Sequence, residues 1–273
     1  FPAIRLSHLI SLTDNVGVIH HAKHAVPNRK TGYTLDDNAR ALIAAIKHYS
    51  IFKSQKSLEI IKTYLGFLHY AQKEDGTFHN LLDYERKFLD EKGSEDSYGR
   101  ALMASGFVVS SSVPESIKAT AKFIFDNAVR SVYKLRFLRA KSFSIIGLYY
   151  YFKRYKHEDI VEKAKTLADS LADAYRKNSA NEWKWFEPYL TYSNGKLPES
   201  LFFSYLMTKD KKYLEIAEES LAFLSKILIV NGKMELVGNK GWYHEGGERA
   251  FYDQQPVDAA SMVQSFLAAY KIT

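Results

Sequence analysis

Two short stretches place adjacent acids one helical turn ahead of an arginine. They are Asp36-Asp37 with Arg40, and Glu95-Asp96 with Arg100. Neighbouring like charges push their pKa values apart, so one carboxyl can give a proton while the other takes one. Three later loops carry a related mixture. One is Trp183-Lys184-Trp185-Phe186-Glu187. Another runs from Leu190 to Glu199 as LTYSNGKLPE. The last is Trp242-Tyr243-His244-Glu245, followed by Asp253-Gln254-Gln255-Pro256-Val257-Asp258. Carboxylates supply general acid and base, aromatic faces stack on sugar rings, and Asn, Gln and Arg bind hydroxyls. Cleavage of a glycosidic bond needs this mixture, with two carboxyl groups flanking the bond.

The expected catalytic set is Asp36, Asp37, Glu95, Asp96, Glu187 and Asp253. The expected substrate contacts are His20, His21, Tyr33, Arg40, Arg100, Trp185, Tyr192, Asn194, Glu199, Trp242, Glu245 and Gln254. Of these, Tyr33, Trp185, Tyr192 and Trp242 are the stacking platforms. Each acid also has an ordinary structural role open to it. An Asp four residues before an Arg forms a helix ion pair, and an acid at a helix start caps it. The doubling of the acids argues for more, because one carboxylate suffices for a cap.

His20, His21 and His24 cluster, and four-residue spacing can chelate a metal on a helix. Gly17 and Pro27 bracket the segment, which points to a loop, and the glutamate of a metalloprotease motif is missing. No metal or other cofactor is expected. There is no G-x-S-x-G elbow and no phosphate-binding glycine loop. The Asp36-Asp37 pair lacks the third acid of a diphosphate–magnesium motif. With no cysteine, thiolate metal sites, disulfides and Cys nucleophiles are excluded.

These loops must be held by helices. Apolar residues recur every three or four positions in Leu58–Ala71, Ile117–Val129, Ile160–Ala174 and Tyr213–Leu228, with Lys, Glu and Gln on the other faces. Between them lie Ala39–Tyr49, Arg100–Val109, Phe143–Phe152, Leu201–Met207 and Ala259–Tyr270, poor in charge and rich in Ala and aromatics. These read as helices buried on most sides. The two kinds alternate at intervals of about 45 to 60 residues, the mark of a repeat architecture. Asp36-x-x-x-Arg40-Ala41-Leu42 aligns with Asp96-x-x-x-Arg100-Ala101-Leu102. The expectation is an all-α fold, an (α/α) toroid of inner and outer helices. Five inner helices are visible. A helix over Ile4–Leu12 would close the circle, and a sixth pair would complete an (α/α)6 ring. The chemistry-bearing loops precede the inner helices and would meet in one funnel. No Pro/Gly-rich linker interrupts the chain, so residues 1–273 read as one domain.

The strings GYTLDDNARAL, EDSYGRAL, WKWFEPYLTYSNGKLPESL and FYDQQPVDAA resemble the helical toroid modules of bacterial carbohydrate-active proteins. Such modules are fused to, or encoded beside, glycosyltransferases and mannoside phosphorylases. The resemblance runs from about Leu12 to Ala260. It implies an α/α barrel, a carbohydrate substrate that includes mannose-containing glycans, and a glycosyltransferase as partner or fusion. Related toroid glycosidases mostly invert, using two Asp or Glu residues near inner-helix N-termini. Epimerases of similar shape use histidines.

The favoured expectation is therefore a glycoside hydrolase with a two-carboxylate mechanism, acting on an oligosaccharide or polysaccharide. The alternatives are a non-catalytic glycan-binding module, and a sugar epimerase or isomerase using His20, His21 or His244. The composition fits a folded protein with a large core: 46% hydrophobic and 14% aromatic. A net charge of +7 is scattered in short clusters, which argues against a nucleic-acid partner. No apolar run reaches the length of a membrane span. Absence of Cys fits a cytoplasmic or a periplasmic setting. The chain begins at Phe1 rather than Met, so a signal peptide, a tag or an upstream domain is expected to have preceded it.

Overall fold

The computed structural model describes residues 4–273. Among the described residues, ten α-helices carry the fold: α1 Ser7–Ser11, α2 Leu35–Phe52, α3 Gln55–Ala71, α4 Glu95–Ser110, α5 Glu115–Ala128, α6 Leu138–Tyr155, α7 Glu158–Asn178, α8 Lys196–Thr208, α9 Lys211–Leu228 and α10 Pro256–Ile272. Eight two-residue strands pair antiparallel in the loops. β1 Ala22–Lys23 pairs with β2 Val26–Pro27, and β3 Tyr33–Thr34 with β4 Leu81–Leu82. β5 Tyr189–Leu190 pairs with β8 Tyr243–His244, and β6 Ile229–Val230 with β7 Lys233–Met234.

The helix ends follow from local chemistry. Thr34, Ser54, Ser94 and Asp210 cap α2, α3, α4 and α9 with side-chain oxygens. Pro256 opens α10, where its missing N–H costs nothing. Acids occupy the first turns of α2, α4, α5, α7, α8 and α10, where the helix dipole favours them.

The chain forms two compact units, Phe1–Ala140 with Tyr150–Lys156, and Lys141–Tyr149 with His157–Thr273. In the first, α2 packs on α3 and α4, α4 packs on α5, and α3 meets α5. Its core includes Leu42, Ile46, Ile61, Tyr64, Leu102 and Phe125. In the second, α8 packs on α7, α9 and α10, and α7 meets α9. Its core includes Leu171, Leu201, Phe202, Tyr213 and Leu224. Within the first unit the inner helices α2 and α4 touch and so do the outer helices α3 and α5; within the second, α8 touches α10 and α7 touches α9. The five inner helices and the four amphipathic ones expected are present, and among the described residues there is no sixth pair.

Two expectations are corrected. α1 is five residues long and buries none of them, so it does not act as an outer helix. α10 is not buried on most sides: Val263, Leu267 and Tyr270 are exposed at three- and four-residue spacing. Among the described residues, no helix is long and apolar enough to cross a membrane.

Candidate functional site

The start of α2 organises a polar network in the first unit. Thr34 caps the helix by accepting a hydrogen bond from the Asp37 backbone N–H at 3.1 Å, and its hydroxyl donates to Asp37 Oδ2 at 2.7 Å. The Asp36 N–H donates to Asn80 Oδ1 at 3.3 Å. Asn38, fully buried, accepts from the Val18 N–H at 3.0 Å and donates to the Thr34 carbonyl at 2.8 Å. The segment before His20 must therefore pass close over Asn38. Gly17 allows this, because a Cβ there would lie 2.4 Å from Asn38 Oδ1. The His20 N–H donates to the Gly32 carbonyl at 2.8 Å. These bonds bring His20 onto Asp37, with Nδ1 2.5 Å from Oδ2.

Charges bind the rest of the network. Arg40 reaches Asp37 Oδ1 at 2.5 Å and Asp36 Oδ2 at 3.3 Å, so the expected ion pair on α2 is present. Arg100, buried on α4, crosses to α2 and places Nε 2.7 Å from Asp36 Oδ1. The repeated acid–arginine motif thus links the two inner helices. Burial works to raise the pKa of Asp37. The hydrogen bonds from His20 and Thr34 and the Arg40 charge outweigh it and hold the carboxyl below its usual value.

The chemical consequence concerns His20. Its Nδ1 is held by an ionised carboxylate, and among the described residues nothing hydrogen-bonds its Nε2. Its side chain is 34% exposed. A carboxylate on Nδ1 fixes the tautomer that carries a proton there and leaves Nε2 as a base. The His21 ring lies 3.8 Å from that of His20, exposed to solvent. His24 sits in the β1–β2 turn with positive φ, so the histidine segment is a loop as expected. Among the described residues, no group of three His, Cys, Asp or Glu is placed to hold a metal.

The remaining candidates of this unit divide. Asp96 lies half-buried in the first turn of α4, one turn before Arg100. Glu95 accepts hydrogen bonds from the N–H groups of Arg136 and Phe137, at 2.6 and 3.0 Å, and pairs with the Arg136 guanidinium. Burial works against ionisation there too, and those bonds overcome it, so its pKa is lowered. Glu95 thereby ties down the chain entering α6, a structural role in place of the expected acid. Tyr33 is also corrected. It is 1% exposed, its hydroxyl donates to Asp14 at 2.5 Å, and Tyr84 stacks over it with ring centroids 6.2 Å apart. It offers no open face to a sugar.

The second unit gathers the other candidates. Trp185 is fully buried against Phe186 and Phe223, so this expected platform is core. Glu199 is buried in an ion pair with Lys196 at 2.6 Å, and Lys196 also reaches Gln264 at 2.5 Å. Asn194 closes its own loop through Thr191. The rings of Tyr192 and Trp242 meet with centroids 6.3 Å apart, both half-buried. Glu187 is half-buried, and its carbonyl accepts from the Trp183 indole at 2.8 Å. Glu245, Asp253 and Gln254 are exposed. Asp253 pairs loosely with Lys240 at 3.4 Å, and Gln254 holds the Leu236 N–H at 3.2 Å.

Sequence reasoning missed Thr34, Asn38, Lys196 and Asp258. Thr34 was legible from its place three residues before Asp37, the spacing of a reciprocal cap. Asp258 is buried in the first turn of α10 and accepts from the Ser193 N–H. Asn38 and Lys196 carry no signal beyond lying beside an acid motif.

No family model and no curated protein matches the chain. Solved structures do. A sugar epimerase from a ruminal bacterium is similar with a TM-score of 0.74 at 15% identity, over 96% of this chain and 77% of that one. Cellobiose 2-epimerase from Bacillus thermoamylovorans B4167 is similar with a TM-score of 0.75 at 12% identity, over 97% and 79%. An α-1,6-mannanase, GH76A of Salegentibacter sp. HEL1_6, is similar with a TM-score of 0.55 at 15% identity, over 88% and 65%. That structure is of a variant, inactive with two adjacent aspartates replaced by asparagine, in complex with α-1,6-mannotriose. At these identities the likeness shows the fold. The chain has the α/α-toroid fold of these carbohydrate-active enzymes.

Proposed function

We propose that this chain is a carbohydrate-active enzyme of the sugar epimerase or isomerase class, with His20 as a proton-transfer group. The observation that carries this reading is the His20–Asp37 contact, with Nε2 unbonded among the described residues. Such chemistry acts on the open-chain form of a reducing sugar. A base removes the proton from the carbon beside the carbonyl, and an acid returns a proton to the opposite face or to the neighbouring atom. His20 Nε2 is built to take that proton, and Asp37 stabilises the resulting imidazolium. The fold is also that of a sugar epimerase and a cellobiose 2-epimerase.

Hydrolysis of a glycosidic bond is the second reading, favoured by the adjacent acids Asp36 and Asp37. An α-mannanase of this fold is inactive with two adjacent aspartates replaced. The difficulty for that reading is the acid. A hydrolase needs one protonated carboxyl, whereas Asp37, one of this pair, is held ionised.

A product panel separates the two. Cellobiose, mannobiose, mannose and glucose are incubated with the protein, with and without phosphate, and products are separated by mass and by stereochemistry. A product of unchanged mass and altered configuration, or an aldose–ketose conversion, supports the first reading. Shortened sugars support hydrolysis, and sugar phosphates support phosphorolysis. No product from any sugar overturns the proposal.

A further inference from the structure

Beside the α2 network lies an apolar surface that the site described above does not use. Ile19, Tyr33, Leu82 and Phe88 pair in one row across four short segments of chain. Side chains alternate between faces along a strand. The neighbouring row, on the other face, contains Thr34, Leu81 and Leu89. Thr34 pairs with Leu81, and the Leu89 N–H donates to the Leu81 carbonyl at 2.9 Å. Burial changes along the row rather than between faces alone: Thr34 is buried and Phe88 half-buried, and exposure grows outward at the leucines. Ile19, Tyr33 and Leu82 are buried, whereas Leu81 is 40% and Leu89 is 66% exposed. Thr34, which begins the row, donates to Asp37. The two leucines thus extend away from Asp37, in steps of roughly 4.8 Å per segment.

The shelf is firmly built. The Asp90 carboxylate accepts from the N–H groups of Asn80 and Leu81 at 2.8 and 2.9 Å. The tip is a tight turn in which Asp83 Oδ1 accepts from the Lys87 N–H at 2.8 Å. The Leu35 N–H donates to the Asn80 carbonyl at 2.9 Å, fastening the arm to the start of α2. Two fixed, exposed leucines in line with a polar site invite an apolar ligand face.

We infer that Leu81 and Leu89 form a subsite for the C–H face of a pyranose ring next to the reacting sugar, so that the substrate is an oligosaccharide. The inference rests on the carbohydrate-active reading above. A pyranose ring presents axial C–H groups on one face and hydroxyls at its rim. An aliphatic shelf suits the first, and the second stays in water. The outermost leucine lies about two segment spacings from Thr34, further than one sugar ring spans, so a monosaccharide held at His20 does not cover it.

The test is titration calorimetry on the wild type and on a Leu81→Ser/Leu89→Ser variant. The probes are cellobiose and α-1,6-mannobiose, against glucose and mannose. Both substitutions are at exposed positions, and thermal unfolding checks that the fold persists. The expected result is disaccharide binding weakened about tenfold with monosaccharide binding unchanged. Equal disaccharide affinity in wild type and variant overturns the subsite while leaving the carbohydrate reading intact. Failure of the wild type to bind any sugar overturns both. A change from dimer to monomer in the variant, seen by sedimentation, overturns the subsite in favour of contact between copies of the chain.

Discussion

His20 Nδ1 lies 2.5 Å from Asp37 Oδ2, and the same carboxylate meets Thr34 and Arg40. Three separate parts of the chain converge on one acid. The loop before α2 brings the imidazole, the cap brings a hydroxyl, and the next turn of α2 brings a guanidinium. An acid with so many partners is an anchor for its neighbours, and its ionised form is what they require.

Asp37→Asn removes that anchor with little change of shape. The amide cannot neutralise Arg40, and it no longer fixes the proton on His20 Nδ1. Turnover is expected to fall about 10²- to 10⁴-fold, the usual worth of a positioned acid–base group. Arg40→Lys keeps the charge and loses the fork, so it should fall less. Steady-state rates on the best sugar of the panel check both. Near-normal turnover in Asp37→Asn would remove the carboxylate from the mechanism.

The lowered pKa of Asp37 has a sign that acid titration reads. The folded carboxyl ionises at lower pH than the unfolded one. Its contribution to stability is therefore complete above about pH 4, the range of an unfolded Asp, and is lost as pH falls through the depressed value. Asp169 behaves alike. Burial opposes its ionisation, and Lys212, Tyr213 and Lys165 outweigh burial and lower its pKa to about 2. Urea unfolding between pH 7 and pH 2 should show stability declining below pH 4, less steeply in Asp37→Asn. An identical slope in the variant would contradict the assignment.

Asn38 should matter to His20 without touching it. Asn38→Ala leaves the buried Val18 N–H without its acceptor, which costs about 1–3 kcal/mol. It also frees the segment that carries His20. The expected observation is a lowered denaturation midpoint together with a shifted imidazole resonance for His20 in nitrogen-detected NMR. An unmoved His20 resonance would reduce Asn38 to a packing role.

Much of this was legible in the sequence. Apolar periodicity located the helices on both faces of the repeat, because burial on one side dictates a 3.6-residue pattern. The doubled acids and the matching arginines marked the network at α2 and α4. The direction of Arg100, across to Asp36, was not legible, because contacts between helices depend on packing. Tyr33, Trp185 and Glu199 read as site residues for a shared reason. A buried aromatic or ion pair has the same composition as a binding loop, and burial alone tells them apart. Glu95 was misread because two of its three hydrogen bonds come from backbone N–H groups, which leave no trace in residue type.

The Lys196–Glu199 pair in α8 offers a separate check on that distinction. Both side chains are less than a tenth exposed, and each is the other's counter-charge. Glu199→Ala alone strands a buried ammonium and should cost about 3–5 kcal/mol. A Lys196→Met/Glu199→Leu variant should cost much less, since it removes both charges together. Denaturant unfolding of the two variants decides it. Equal losses would mean that the pair is not coupled.

The central claim is that His20, held by Asp37, moves a proton on a sugar. It is tested most directly by deuterium uptake. The wild type and His20→Asn are incubated with a reducing sugar in heavy water, and NMR follows the hydrogen on the carbon beside the carbonyl. The account predicts exchange by the wild type and a loss of at least about 10²-fold in His20→Asn, with the fold unchanged. Exchange at the wild-type rate in His20→Asn, or shortened sugars formed by the wild type with no exchange at all, would contradict it.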